Sequence, residues 1–353
     1  MSSVSIRSGS RIVVAGLFTA ALLTALSCQN LQKTTVTWDT PPVQLVWPQP
    51  PDQPRIQWLG SIHSAADIGQ SRAVGQGIVE LVFGKKETDL VKPVAVAKNS
   101  AGLLVVADPG VPTVHFFDLA QKKYTRPKQK HSALLQSPVG VAVSDDGAVY
   151  VADSVSNEIL VFNVKGELVS QFGKGILTRP TGLALNAAQD RLFAVDTVGN
   201  QVVTFDRAGG KLSAFGRRGN QPGEFNYPTY VATTPSGALC ISDSLNFRVQ
   251  TFQPDGTLVT SLGQAGDVAG SFTRPKGVAS DSEGRFYIVD AAFENVQLFD
   301  TKGAFLLAFG GSGKGPGEFC LPAALHVDST NTIWVADSFN QRVQVFRLLE
   351  NSV

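Results

Sequence analysis

The sequence predicts an all-β protein, a six-bladed β-propeller of four-stranded antiparallel blades, on three observations. A proline-anchored motif recurs six times, at Pro93, Pro138, Pro180, Pro228, Pro275 and Pro322, with spacings of 45, 42, 48, 47 and 47 residues. Each copy carries an aspartate followed nine residues later by a phenylalanine: Asp108 and Phe117, Asp153 and Phe162, Asp196 and Phe205, Asp243 and Phe252, Asp290 and Phe299, Asp337 and Phe346. Each unit also divides into four short apolar runs separated by glycine and aspartate, as a meander of hairpins requires. Four strands repeating at roughly 45 residues is a propeller blade, and six blades lie within the range that closes into a ring. No helical period runs through the repeats, which argues against a helical solenoid.

From the start of the chain, the first 28 residues read as an address. Arg7 and Arg11 precede an apolar run from Ile12 to Leu26, which has the size of a secretory signal and is shorter than most membrane spans. The run ends in Thr24-Ala-Leu-Ser-Cys28, which resembles the bacterial lipobox, with Ala25 at a position where leucine is commonest. That resemblance implies lipidation at Cys28, export across the inner membrane and, with Gln29 next in place of aspartate, an outer-membrane destination. An ordinary signal peptide or an uncleaved anchor, with Cys28 as an incidental thiol, is the alternative.

Residues 29–54 hold six prolines and no hydrophobic period, so they read as a tether. At about 3.1 Å per residue such a segment reaches on the order of 80 Å. The last repeat supplies only three strands, which leaves an edge open to unwanted pairing. Arg55 to Ile62, RIQWLGSI, is the strand expected to close blade 6. Val74, Ile78, Leu81 and Val82 then sit at helical spacing, so a short amphipathic helix over residues 73–83 is expected to pack on the ring.

The blades follow over residues 92–349. In the best-formed unit the four strands read as Gly277 to Ser280, Arg285 to Val289, Val296 to Phe299 and Ala304 to Phe309. Asp243-Ser-Leu-Asn-Phe-Arg248-Val-Gln and Asp337-Ser-Phe-Asn-Gln-Arg342-Val-Gln carry the D-S-x-N-x-R-V-Q signature of the NHL repeat. GRRGNQPGEF from Gly216 and GGSGKGPGEF from Gly310 are similar to that family's inter-blade loop. On these motifs the chain resembles NHL-repeat six-bladed propellers over about residues 92–347. The match weakens in blade 1, which lacks the Asn and Arg, and in blade 5, where Phe293 and Asn295 replace them.

Lys+Arg 30 against Asp+Glu 29 gives a net charge of +1, without the basic excess of a nucleic-acid binder. Three cysteines and four histidines support neither a disulfide framework nor a histidine-rich metal site. The six aspartates stand one strand out from the axis and are expected to accept hydrogen bonds from turn N–H groups or to pair with the following arginine. Cys240 occupies the slot held by Tyr150, Tyr287 and Trp334 in other blades, so it reads as a buried thiol.

The expected innermost strands are chemically poor. Four residues after each proline stand Ala97, Ala142, Ala184, Ala232 and Ala279, then His326, which is either a ligand or acid–base group or a space-filling core histidine. At the channel mouth Thr181, Thr229, Tyr230 and Lys276 form a polar set that holds a small anion or simply lines a hydrated funnel. Between blades 1 and 2, Lys122, Lys123, Arg126, Lys128 and Lys130 lie in a stretch without an acidic residue, either a docking site for an anionic surface or a solvated loop.

No catalytic residue, cofactor or metal site is assigned. The expected partner is a protein or an anionic envelope component, with the membrane reached through the lipid. An enzyme is the competing class, since related propellers include metal-dependent lyases and lactonase-like hydrolases that work at the ring centre. Such a site needs several ligands converging from different blades. Replacing Cys28 with Ala should move the protein from the membrane fraction to the soluble one; a wild-type chain that is already soluble, with a different mature N-terminus, would remove the lipid anchor.

Overall fold

The computed structural model describes residues 44–69, 88–128 and 134–349. Six antiparallel sheets form the ring. Blade 1 runs through Ala95–Lys98, Leu103–Asp108, Thr113–Asp118 and Lys123–Thr125, and blade 2 through Pro138–Val143, Val149–Asp153, Glu158–Phe162 and Leu168–Phe172. Blades 3 and 4 begin at Pro180–Leu185 and Pro228–Thr233 and repeat the pattern. Blade 5 consists of Pro275–Ser280, Phe286–Asp290, Asn295–Phe299 and Phe305–Gly310, within two residues of the expected bounds. The innermost strand of each blade touches that of the next in chain order, and blade 6 returns to blade 1.

Burial follows from position in the blade. Second strands such as Val149–Asp153 and Phe286–Asp290 are buried throughout, because the neighbouring blade covers each face of the sheet. They therefore read as unbroken apolar runs. The outer strand Leu168–Phe172 alternates half-buried and exposed residues, as a strand with one free side should. Gly140 shows how tightly the centre is packed: a Cβ there would lie 1.7 Å from the carbonyl oxygen of Thr181 in the next blade. Only glycine permits that backbone approach.

Blade 6 closes with the N-terminal segment, as expected. Ile56–Ile62 pairs antiparallel with Arg342–Leu348, from Ile56 opposite Leu348 to Ile62 opposite Val343, with a bulge between Trp58 and Gly60. Ile56, Leu59 and Ile62 are buried, and Trp58 Nε1 donates to Gln344 Oε1 at 2.9 Å. The stretch assigned to a tether as far as residue 54 is in part a piece of the ring. Val46–Trp47 adds a fifth strand against Ile56 and Gln57, and the Trp47 ring stands 5.8 Å from that of Phe346 and 6.2 Å from that of Phe309. An indole against two phenylalanines removes enough apolar surface from water to hold a two-residue strand in place. After the closing strand comes a 3-10 turn, Ala65–Ile68, with a Ser64–Asp67 capping box. The helix expected over residues 73–83 lies outside the described residues, as does Cys28.

The repeated aspartates are knots, and fully buried ones. Asp337 Oδ2 accepts from Arg342 Nε at 2.7 Å, Asn340 Nδ2 at 2.9 Å and Gln344 Nε2 at 3.0 Å, while Oδ1 accepts from the Cys320 backbone N–H at 2.8 Å. Arg342 Nη2 also donates to the carbonyls of Gly315 and Glu318, tying down the loop between blades 5 and 6. Asp243 repeats this arrangement with Arg248, Asn246 and Gln250. Adjacent blades are latched by a hydroxyl beside the aspartate: Thr197 donates to the Pro228 carbonyl at 2.7 Å, Ser244 to Pro275 at 2.8 Å, and Ser338 to Pro93 at 2.6 Å across the closure.

A chain beginning at residue 65 should lose cooperative thermal unfolding or aggregate, since blade 6 then has an open edge. One beginning at residue 50 keeps the closing strand but not Trp47, and should unfold cooperatively at a lower temperature. Identical melting of both and of the whole chain would refute closure by this segment.

Candidate functional site

The channel has two unlike ends. At the proline end the predicted polar set is only partly available. Thr181 Oγ1 is hydrogen-bonded to Thr197 Oγ1 and to the Thr229 carbonyl, both at 2.8 Å, and Thr229 Oγ1 to Ser244 Oγ at 2.7 Å. Both hydroxyls therefore belong to the blade-to-blade latches. Tyr230 reaches from blade 4 across the axis and donates its hydroxyl to the Val94 carbonyl of blade 1, the opposite blade, at 2.8 Å. Burial pushes its phenol well above the ordinary range, so it stays a donor. Lys276 remains half-buried at this end, with no hydrogen bond or ion pair among the described residues.

Tyr230 and His326 line a single cavity of about 330 Å³, walled by Ala97, Ala142, Ala184 and Ala279 and opening at the far ends of the innermost strands. Its rim carries an ion pair of Lys98 with Asp328 at 3.0 Å, and Asp145 bonded to Ser100 at 2.6 Å and Gln189 at 2.8 Å. Asp328 also accepts from the Trp334 indole at 3.2 Å. Desolvation works against the Asp328 charge, but hydrogen bonds from Thr330 and Lys98 outweigh it and keep the pKa below its usual value. His326 Nε2 is buried without a hydrogen-bond partner, and burial lowers its pKa to about 4. The imidazole is thus neutral, and the carboxylates at the rim are already engaged. Among the described residues no three His, Cys, Asp or Glu side chains come together to hold a metal. Cys240 is fully buried, and burial pushes its thiol up to about 12.

The basic stretch after blade 1 is pinned rather than free along its length. Lys128 Nζ pairs with Glu167, and its backbone N–H donates to the Gly166 carbonyl at 2.9 Å. Tyr124 turns inward to His115 Nδ1 at 3.0 Å, and His115 fills the slot that Gln250, Gln297 and Gln344 hold in other blades. Lys122 and Lys123 are exposed and Arg126 is half-buried, while Lys130 lies outside the described residues.

The proline end also carries groups not expected from the sequence. Lys92, Arg179 and Arg274 immediately precede the anchoring prolines of blades 1, 3 and 5, and all three are exposed. Around them stand Val155, Val198, Leu245 and Phe339, 57%, 44%, 51% and 56% exposed, each the second residue after its blade's aspartate. Tyr227, 42% exposed, joins them before Pro228. The signal was readable: the position two after Asp is apolar in five blades, and the position before Pro is basic in alternate ones.

His326 makes the far cavity testable through pH. Its folded pKa is depressed, so the unfolded chain binds a proton that the folded one refuses between pH 6.5 and about 4. Its contribution to stability is whole above that window and falls as the pH drops through it. In thermal melts across the window, His326→Gln should show a flatter dependence than wild type; equal slopes would mean that the imidazole is not held neutral.

Comparison with known proteins agrees with the geometry. A family model described as NHL repeat matches residues 135–162, and one described as 6-bladed beta-propeller matches residues 277–352. No curated protein matches the chain. Among solved structures, a protein of unknown function from Bacteroides thetaiotaomicron is 16% identical, with a TM-score of 0.61 over 84% of this chain and 76% of that one. Virginiamycin B lyase from Staphylococcus aureus is 13% identical, with a TM-score of 0.54 over 73% and 96%. A gluconolactonase from Xanthomonas campestris is 14% identical, with a TM-score of 0.56 over 74% and 87%. Identities this low carry the fold alone. The chain is a six-bladed β-propeller that carries an NHL repeat over residues 135–162.

Proposed function

We propose that this protein is a lipid-anchored envelope propeller whose work is binding, and that it docks a partner on the proline-side face of the ring. The observation that carries this reading is the apolar rim of Val155, Val198, Leu245 and Phe339, one exposed side chain on each of blades 2, 3, 4 and 6 around one mouth of the channel. Exposed apolar residues scattered singly need no explanation, but a set repeated at one position around a rigid ring is a contact surface. Loops presented by a rigid scaffold are where binding surfaces arise. Tyr230 bars the axis beneath this face, so a ligand here lies on the ring and does not pass through it. The lipid at Cys28 would tie the ring to the membrane.

Photo-crosslinking in the native envelope tests the reading. A benzoylphenylalanine replacing Leu245 or Phe339 should give a discrete adduct. The same group replacing Val259, 53% exposed on the outer edge of blade 4, should not. Adducts at neither rim position, or equally at Val259, would discard the proline-side face as the docking surface.

A further inference from the structure

The geometry points to an acidic polypeptide segment as the occupant of the proline-side face, its carboxylates seated among Lys92, Arg179, Arg274 and Lys276 and its apolar side chains on the surrounding rim. This inference rests on the docking face proposed above and adds the chemistry of what it takes.

Lys92, Arg179 and Arg274 occupy the same repeat position in blades 1, 3 and 5, so they stand around the mouth on alternate blades. Ser137, Tyr227 and Leu321 hold that position in blades 2, 4 and 6. Lys276 follows the proline of blade 5 and is drawn further in. Among the described residues none of the four makes an ion pair, although Lys98, Arg248, Arg285 and Arg342 pair with aspartates. The carboxylates nearest in sequence pattern are occupied: Asp108, Asp196 and Asp290 are buried and accept the backbone N–H groups of Lys92, Arg179 and Arg274 themselves. The contact that Lys92 does make among the described residues is a weak aromatic one, its Nζ lying 5.4 Å from the centre of the Phe339 ring.

Four like charges around one mouth repel each other, and the cost is visible at Lys276. Loss of water lowers its pKa first, and the charges of Arg274, Lys92 and Arg179 lower it further. A carboxylate entering from outside would reverse the sign of that interaction in a partly dehydrated cup, where charge pairs are worth more than on open surface. The rim decides between anions. A free phosphate would use the cations and leave the aliphatic residues and Phe339 in water. A chain of acidic and apolar side chains uses both. A nucleic acid would want a broad basic surface, and the protein carries a net charge of only +1.

Isothermal titration of the full chain separates these cases, using an acetylated, amidated octapeptide of alternating Glu and Leu, its Gln-for-Glu counterpart, and inorganic phosphate. The acidic peptide should bind, at least tenfold more tightly than the Gln counterpart, and weaken as salt is raised. Arg179→Glu combined with Lys276→Glu should weaken it by at least tenfold more, with the melting temperature checked for folding. Arg179→Met combined with Arg274→Met serves if the reversed chain does not fold. Equal binding of the two peptides, no binding of either, or unchanged affinity in a folded variant overturns the inference. Phosphate displacing the peptide at equal concentration would also overturn it, in favour of a small-anion site. If the charge-reversed chain still forms wild-type adducts from Phe339 in the envelope, the docking face stands and its acidic occupant falls.

Discussion

Each blade depends on one buried carboxylate at the end of its second strand. A charge removed from water costs several kcal/mol unless it is fully paired. Here the donors come from two stretches of chain at once. Asp153 accepts from Val155 and Ser156 in the turn that follows it and from Gln136 and Ser137 in the loop that enters the blade. One side chain thereby fixes both the exit of the second strand and the entry of the first. Where Arg248 or Arg342 is added, the same carboxylate also fixes the loop from the preceding blade. Removing one partner of such a buried pair costs about 3–5 kcal/mol, so the knot cannot loosen by degrees.

The site inherits its geometry from that knot. Lys92, Arg179 and Arg274 are held at the mouth because their own backbone N–H groups are bonded to the buried aspartates. Val155, Val198, Leu245 and Phe339 stand outward because each belongs to the turn that the same aspartate organises. The exposed rim and the structural knot are thus two consequences of one repeated residue. Blade 1 shows the alternative solution: His115 replaces the glutamine, lies 3.6 Å from Asp108, and draws Tyr124 inward with it. That exchange explains why the basic loop after blade 1 is tied back at Tyr124.

Tyr230 divides the molecule. Its slot holds glycine in blades 2, 3 and 5 and alanine in blades 1 and 6, so a phenol there spans space that other blades leave empty. One side of it is a small pit with a neutral imidazole and engaged carboxylates. The other is a cup rimmed by Lys92, Arg179, Arg274 and Lys276, whose side chains make no ion pair among the described residues. A propeller channel is often read as one continuous site, but here Tyr230 crosses the axis and the two ends carry unlike side chains.

The fold was legible because repetition and burial leave direct traces in sequence. Six prolines, each followed by an aspartate and then, nine residues on, by a phenylalanine, define the blade, and an unpaired last blade calls for the closing strand that Ile56–Ile62 provides. Cys240 was legible for the same reason, since its slot in other blades holds large buried rings. The strand at Val46–Trp47 was not: two residues among prolines have no period, and only the Phe309 and Phe346 rings hold them. Nor could sequence show that Thr181 and Thr229 spend their hydroxyls on neighbouring blades, or that Tyr230 finds its acceptor 136 residues away in the opposite blade. The sequence by itself determined the repeating unit, its strand order and the number of blades, because those follow from local spacing and alternation. Tertiary structure alone decided which polar groups were left without partners, because hydrogen-bond and ion-pair satisfaction depends on what the ring brings across its axis.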